Sequence, residues 1–352
     1  MIIKSLHELK GNPCTEKFFD AACLEATTFT STAHHSHIGD EKLLNFSCYT
    51  GQVDDFDRGI LYTQNTIFQS GLFNVFSLEE GWRLADERFD YCYRGYRDHY
   101  SKLIDQQIPK SPLSLKGNTC LIVGQWGTEY YHFIHETIPK LVMMSKLNLL
   151  EAMDHFVLPQ SAPNYVMDWL TILQIPHQKV LRLTDKLFFK AESLYIPTQF
   201  TITGKTSVEL RNYLSLYANM ACKHEAKQNI PKKLFVNRRG SRQIGNIADW
   251  NKNHLKSLNY VEIFPEDYSC LEQYKLFSSA DIIVAPHGGN MANIIFSNAN
   301  IIELLGVDYN NTCYCDAASL FQNPYYYMAC KEDSDGLEVE WKRLFDYLQF
   351  LK

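Results

Sequence analysis

The sequence lacks a membrane-length apolar run, an excess of basic charge and any paired-cysteine motif, and each absence removes a class of protein. No stretch of 18 apolar residues occurs among the 352 residues, so no spanning helix is expected. Acidic side chains outnumber basic ones, 40 to 34, giving a net charge of −6. That excludes a broad electrostatic surface for nucleic acid. Ten cysteines are present, yet none forms a Cys-x-x-Cys pair. The closest two, Cys313 and Cys315, are expected on opposite faces of a strand, and scattered thiols point to a reduced, cytoplasmic setting. No Gly-x-Gly-x-x-Gly follows a predicted strand, which disfavours a dinucleotide-dependent dehydrogenase. The opening residues 1–14 are too polar for a secretory signal. On that expectation the sequons at Asn45 and Asn310 are chance matches.

What is present is apolar content for two domains of ordinary size, and many aromatic residues, 21 of them tyrosine. Residues 1–115 read poorly. Gly59–Tyr62 and Gly71–Phe76 resemble hairpin strands. His34, His35 and His37 lie close together, but no cysteine or carboxylate shares their spacing and no zinc site is inferred. Asp86–Tyr100 reads as a solvated helix or loop. From Thr119 onward strands and helices alternate. Strands are expected at 119–124, 155–158, 179–183 and 193–196. Helices are expected at 129–147, kinked or divided by Pro139, and at 165–173 and 207–223. A second alternating set follows the polar stretch 226–231, with strands at 233–237 and 260–264 and helices at 249–258 and 269–278. Residues 337–348 carry Leu337, Trp341, Leu344, Phe345 and Leu348 on one helical face. The domains expected are 1–225, with its Rossmann-like part at 119–225, then 226–335, then a C-terminal helix at 336–352.

Three constellations carry chemistry. The first is Ala280–Leu305. It reads as a buried strand, a turn through His287, Gly288, Gly289 and Asn290, a short helix over 291–296, and a second strand carrying Glu303. Two glycines let backbone approach a ligand, and a helix N-terminus attracts phosphate; an ordinary βαβ connection would look much the same. The second is Arg238, Arg239 and Arg242 at the carboxyl end of a strand, where ligands bind in open α/β sheets and guanidinium groups grip phosphate in a bidentate manner. A solvated basic loop is the alternative. The third is the helix of His132 and Glu136, four residues apart and so on one face. The pattern is His-x-x-x-Glu and not the zinc-protease His-Glu-x-x-His, so it suggests a carboxylate-oriented general base and no metal.

In this order and spacing the segments resemble glycosyltransferase family 61. The resemblance is carried by Tyr131-His132-Phe133 with Glu136 and Pro139-Lys140, by Arg238, Arg239 and Arg242, and by Glu272-Gln273 with Ala280-Asp281. It closes on His287-Gly288-Gly289 with Asn293 and Ile302-Glu303. It covers about residues 119–306. The chain departs from the family pattern at Asn290-Met291 and at His135. The resemblance implies an α/β protein of GT-B type: two Rossmann-like domains facing a cleft, with the C-terminal helix crossing back to the N-terminal domain. It implies an inverting glycosyltransferase that requires no metal or other cofactor. Such an enzyme moves a xylose-, arabinose- or N-acetylglucosamine-class sugar from a nucleotide diphosphate, a UDP-sugar, to a glycan or polysaccharide hydroxyl. The donor site would comprise Arg238, Arg239, Arg242, His287, Gly288, Gly289, Asn290 and Asn293, with Glu303 on the ribose. The base would be His132, oriented by Glu136, with Glu136 or Glu129 as alternative bases. A non-catalytic nucleotide-sugar or glycan-binding protein with a degenerate cleft is the competing reading.

Overall fold

The computed structural model describes residues 111–123, 127–184, 187–197, 206–223, 229–247, 252–307 and 311–351. Before these it describes the strand segments 2–4, 15–18, 35–37, 60–69, 74–77 and 82–84. The expectations for Asp86–Tyr100, for Asn45 and Asn310 and for linker residues 226–228 lie outside the described residues, as do Gly124, Gln125 and Trp126 of the turn before the His132 helix. Chain contacts divide the protein into two compact units, Met1–Thr27 with Val53–Lys205, and Thr28–Gln52 with Thr206–Lys352.

The strands of the N-terminal region are β1 (Ile2–Lys4), β2 (Thr15–Phe18), β3 (His35–His37), β4 (Ile60–Gln69), β5 (Asn74–Ser77) and β6 (Trp82–Leu84). All but β3 join β7 (Leu113–Leu121), β8 (His155–Pro159), β9 (Val180–Leu183) and β10 (Phe188–Pro197) in one sheet. Its order is β1-β6-β5-β4-β10-β7-β8-β9, with β2 also on β4. The two strands read at 59–62 and 71–76 are the antiparallel pair β4 and β5. They are continuous with the parallel part of the sheet, because β4 pairs antiparallel with β10 from Ile60↔Pro197 to Gln69↔Phe188. The core-facing residues of β10 are Phe189 and Ala191, then Leu194 and Ile196, packed with Phe68, Leu121 and Val157. The switch from odd to even positions coincides with a register shift between Ala191 and Ser193. One extra residue flips every later side chain unless a bulge absorbs it.

The helix α1 runs over 130–146. It is α-helical at Tyr130–His132, a π-turn at Phe133–Thr137, and α-helical again at Ile138–Lys146. Pro139 stands in the first turn after the π-segment, where its missing N–H is tolerated, so the helix continues without being divided. α2 (Asn164–Ile172) follows β8.

The second unit begins with α3 (Val208–Cys222), capped by the Ser207 hydroxyl, which accepts from the Leu210 N–H at 3.0 Å. Then come β11 (Lys233–Val236), α4 (Lys252–Ser257), β12 (Tyr260–Ile263), α5 (Cys270–Ser279), β13 (Ile282–Pro286), β14 (Asn300–Gly306), α6 (Cys313–Leu320), β15 (Tyr325–Asp333), β16 (Gly336–Glu338) and α7 (Trp341–Phe350). The order β12-β11-β13-β14-β15 is parallel throughout. β3 adds in parallel and β16 antiparallel to β15. The buried run of β13 needs two covered faces, as such sheets provide. α5 opens with the capping box Ser269/Glu272.

Two expectations change in the C-terminal part. Leu337 lies on β16 and not in the terminal helix, because Asp333 Oδ1 accepts from the Asp335 and Gly336 N–H groups (2.8 and 3.2 Å) and closes a hairpin. Cys313 and Cys315 lie in a helix, not a strand. The terminal helix α7 packs its apolar face on its own unit. Leu344 and Leu348 are fully buried with Phe235, Ile302, Leu304 and Leu337 in the second unit's own core. Among the described residues no helix is long and apolar enough to cross a membrane.

Truncating Leu344 to Ala should therefore destabilise the protein by roughly 2–5 kcal/mol, the cost of a buried cavity. Urea denaturation measures it; a loss below about 1 kcal/mol would remove α7 from the core.

Candidate active site

In the second unit the chain passes from β11 to its neighbour β12, then returns to β13 on the other side of β11. The carboxyl ends of β11 and β13 therefore form a topological switch point, the place where open α/β sheets bind ligands. Arg238 follows β11 one residue on, after Asn237, and His287 follows β13 directly. They meet: Arg238 Nη1 donates to the His287 carbonyl at 3.2 Å. Gly288 lies under the guanidinium, and a Cβ there would stand 1.7 Å from Arg238 Nη1. Only glycine leaves room for that arginine. The Arg238 N–H is held by Asn237 Oδ1 (2.8 Å), and Asn237 Nδ2 donates to Glu262 (2.9 Å), so the start of the arginine loop is tied to β12.

Arg242 approaches the same place. Burial lowers the pKa of Arg238, and the charge of Arg242 lowers it further, against smaller opposing effects of Tyr314 and Glu266. Two guanidinium groups in mutual repulsion beside a glycine turn have the chemistry to hold an anion. Tyr314 donates to the Gly288 carbonyl at 2.6 Å, and burial holds its hydroxyl well above the usual range, so it stays a donor.

Behind this edge lies a buried carboxylate. Glu303 is completely buried; one oxygen meets His287 Nδ1 and the other accepts from the Tyr325 hydroxyl. Burial, and then the charge of Glu303, keep Tyr325 protonated. Glu303 is the group expected on the ribose. Both its oxygens are engaged, and it reaches the edge only through His287, whose side chain is itself buried and packs on Tyr314.

The remaining predicted residues divide in two. Asn293 is fully buried and donates to Gln273 Oε1 (2.8 Å), while Gln273 Nε2 donates to the Pro265 and Tyr268 carbonyls (2.8 and 3.0 Å). This pair braces the 3-10 helix Gly289–Phe296 against the loop after β12. Arg239 is exposed. It forms a two-pronged pair with Asp267 (2.8 Å each) and lies over the Phe264 ring, 4.3 Å from its centroid. Gly289 opens the 3-10 helix. Asn290 Nδ2 donates to Glu266 Oε2 at 3.3 Å, and Glu266 Oε1 accepts from the Arg239 N–H at 3.2 Å. Glu266, Tyr314 and Tyr325 were not anticipated from the sequence. The tyrosine run at 325–327 is the signal that marks β15 as a buried strand.

The first unit holds the other constellation. His132 Nδ1 lies 2.9 Å from Glu136 Oε2, and Glu136 is the more buried of the two. Burial pushes the His132 pKa down, but the hydrogen bond and charge of Glu136, with a contribution from Glu129, outweigh it, and the net shift is upward. The turn before the helix is held by Thr137 Oγ1 donating to the Gly127 carbonyl (2.9 Å) and by Tyr165 donating to the Thr128 carbonyl. Tyr131 packs on both His132 and His135. Lys140 is buried, and its charge opposes the rise that burial imposes on the Cys120 thiol.

Paired arginines at the edge of a parallel sheet and a carboxylate-held histidine are groups that a transferase can use. Residues 130–302 match the model of the family described as Glycosyltransferase 61, and the chain belongs to that family. No curated protein matches the chain.

A histidine titration by NMR should place His132 above the ordinary imidazole value of about 6.5, and Glu136→Gln should lower it. A raised folded-state pKa adds stability below the unfolded value that is lost as pH climbs through the folded one. The Glu136→Gln variant should therefore lose more stability in mild acid than above that range.

Proposed function

We propose that the protein is an inverting, metal-independent transferase that moves a sugar from a nucleoside diphosphate to a glycan or polysaccharide hydroxyl. UDP is the expected nucleotide, with a xylose-, arabinose- or N-acetylglucosamine-class sugar, in a cytoplasmic setting. The observation that carries the reading is the meeting of Arg238 with the His287 carbonyl over Gly288, with Arg242 alongside, at the switch point of a parallel sheet. Guanidinium groups there would offset the charge that develops on the leaving diphosphate without a divalent ion. Glu266, half-exposed at the same edge, replaces Glu303 as the group for the ribose hydroxyls. The GT-B pairing of the two units is taken from the family resemblance.

In the reaction proposed, the acceptor oxygen attacks the anomeric carbon and the carbon–oxygen bond to the diphosphate breaks. The diphosphate leaves with the electron pair. The acceptor proton passes to His132, whose Nδ1 is held by Glu136, so Nε2 is the receiving atom. Glu136 stabilises the imidazolium that forms. Glu129 is the alternative base; it is exposed and adds to the charge around the ring.

Arg238→Ala should weaken UDP binding by roughly tenfold or more, the loss of charge-assisted hydrogen bonds, measured by calorimetry. Arg239→Ala should cost less, since Asp267 holds that side chain. His132→Ala should retain UDP affinity and lose about 10²–10⁴-fold in turnover, and EDTA should leave turnover intact. A base must be neutral to act, so turnover should fall as pH drops through the raised His132 pKa, and Glu136→Gln should move that limb to lower pH. UDP binding with no turnover on any acceptor would favour a non-catalytic binding protein. Metal-rescued loss in EDTA would overturn the metal-free mechanism.

A further inference from the structure

The arginine loop does not stand alone on β11. Beyond Arg239 the backbone takes two left-handed residues, Gly240 (φ 81°) and Arg242 (φ 58°). Glycine adopts that conformation freely, whereas arginine does so only where its surroundings hold it. The residues that follow Arg242 are gripped by the C-terminal hairpin, which lies outside the family-matched segment. The Leu337 N–H donates to the Gln243 carbonyl at 2.7 Å, and the Gly245 N–H donates to the Leu337 carbonyl at 2.9 Å. Ile244 and Leu337 form a parallel bridge, and both are buried in the core.

Asn246 completes the grip. Its Nδ2 donates to the Val339 carbonyl (2.8 Å), and its Oδ1 accepts from the Val339 N–H (3.0 Å). Its own carbonyl accepts from Trp341 Nε1 (3.1 Å), at the first residue of α7. One side chain thus substitutes for a strand partner of a buried residue. Gly336 lets the hairpin come this close: it has φ 124°, and a Cβ there would lie 2.1 Å from the Gln243 carbonyl oxygen. At the other end of the loop, the charge of Arg242 is felt by both Arg238 and Tyr314.

We infer that the C-terminal hairpin, through Asn246 and Gly336, is a positioning element of the anion seat: it clamps residues 243–246 and thereby holds Arg242 turned toward Arg238 and Tyr314. Neither Asn246 nor Gly336 touches the ligand; both act through Arg242. The inference rests on the donor-site reading above for what the seat binds. It predicts that affinity for the diphosphate depends on Asn246 and, outside the matched segment, on the hairpin of Gly336 and Val339.

The test is a double-mutant cycle with UDP, read by calorimetry on the full chain. Asn246→Ala and Arg242→Ala should each weaken UDP binding by about tenfold, and the double variant should bind about as Arg242→Ala alone does, since contacts that act through one group do not add. Multiplying losses, or an Asn246→Ala variant that binds UDP as the wild type does while only its melting temperature falls, would overturn the inference. Asn246→Ser, a milder change, serves if Asn246→Ala does not fold. A wild type that fails to bind UDP would sink the donor reading and not the clamp. The clamp is then read from the arginine Nε–H resonances: those of Arg242 and Arg238 should move together in the Asn246 variant, and unchanged resonances would overturn it.

Discussion

The carboxylate of Glu303, with no exposed surface, is the constraint on which the sheet edge depends. A carboxyl group out of water must be hydrogen-bonded, or folding carries the penalty of its desolvation. Two side chains meet that need, His287 from the turn after β13 and Tyr325 from β15. Three adjacent strands are locked together behind the site as a result. The His287 ring is directed inward, which leaves its carbonyl for Arg238 and sets the path of Gly288. Tyr314, pressed on the His287 ring and bonded to the Gly288 carbonyl, fixes the turn from the other side. The anion seat is thus made of backbone and guanidinium, and the carboxylate that organises it stays out of reach of solvent.

The histidine helix obeys the same logic on a smaller scale. Glu136 is more buried than His132, so the carboxylate is the fixed partner and the ring the more accessible one. The π-turn over Phe133–Thr137 lies between His132 and Pro139. It accommodates a proline that would otherwise interrupt the helix, and π-turns of this kind recur at functional sites. Glu303 with His287, and Glu136 with His132, use the same pair of residue types for different ends: one buries the ring and exploits its carbonyl, the other presents the ring.

Residues singled out by pattern split into those that line the proposed donor site and those that brace it. Arg238, Arg242 and Gly288 are of the first kind. Gln273 and Asn293, which look like polar site residues in a linear motif, are of the second: they join the 3-10 helix to the loop after β12 through the hydrogen bond between them and two more from Gln273 to the Pro265 and Tyr268 carbonyls. Glu272 caps α5. Spacing cannot separate these roles, because a polar residue at a strand end has the same sequence signature whether it meets a ligand or a buried amide.

The sequence alone determined the alternation of strands and helices from residue 119 onward, the buried character of β13 and β14, and the three constellations, since these follow from local periodicity and residue type. It also determined that His132 and Glu136 share a helical face. It did not disclose β15 or α6, because Tyr325–Cys330 and Cys313–Leu320 carry no clean period of their own and are set by the strand and turn they pack against. Nor did it disclose that Leu337 belongs to a hairpin, which Asp333 and Gly336 close only once β15 exists. Tertiary structure alone decided that Glu303 is sealed from solvent, that Arg239 turns to Asp267, and that residues 336–339 grip the loop of Arg242. Each of these is a contact between segments separated by at least fifteen residues, settled by which strands lie side by side and by the cost of leaving a buried polar group unpaired.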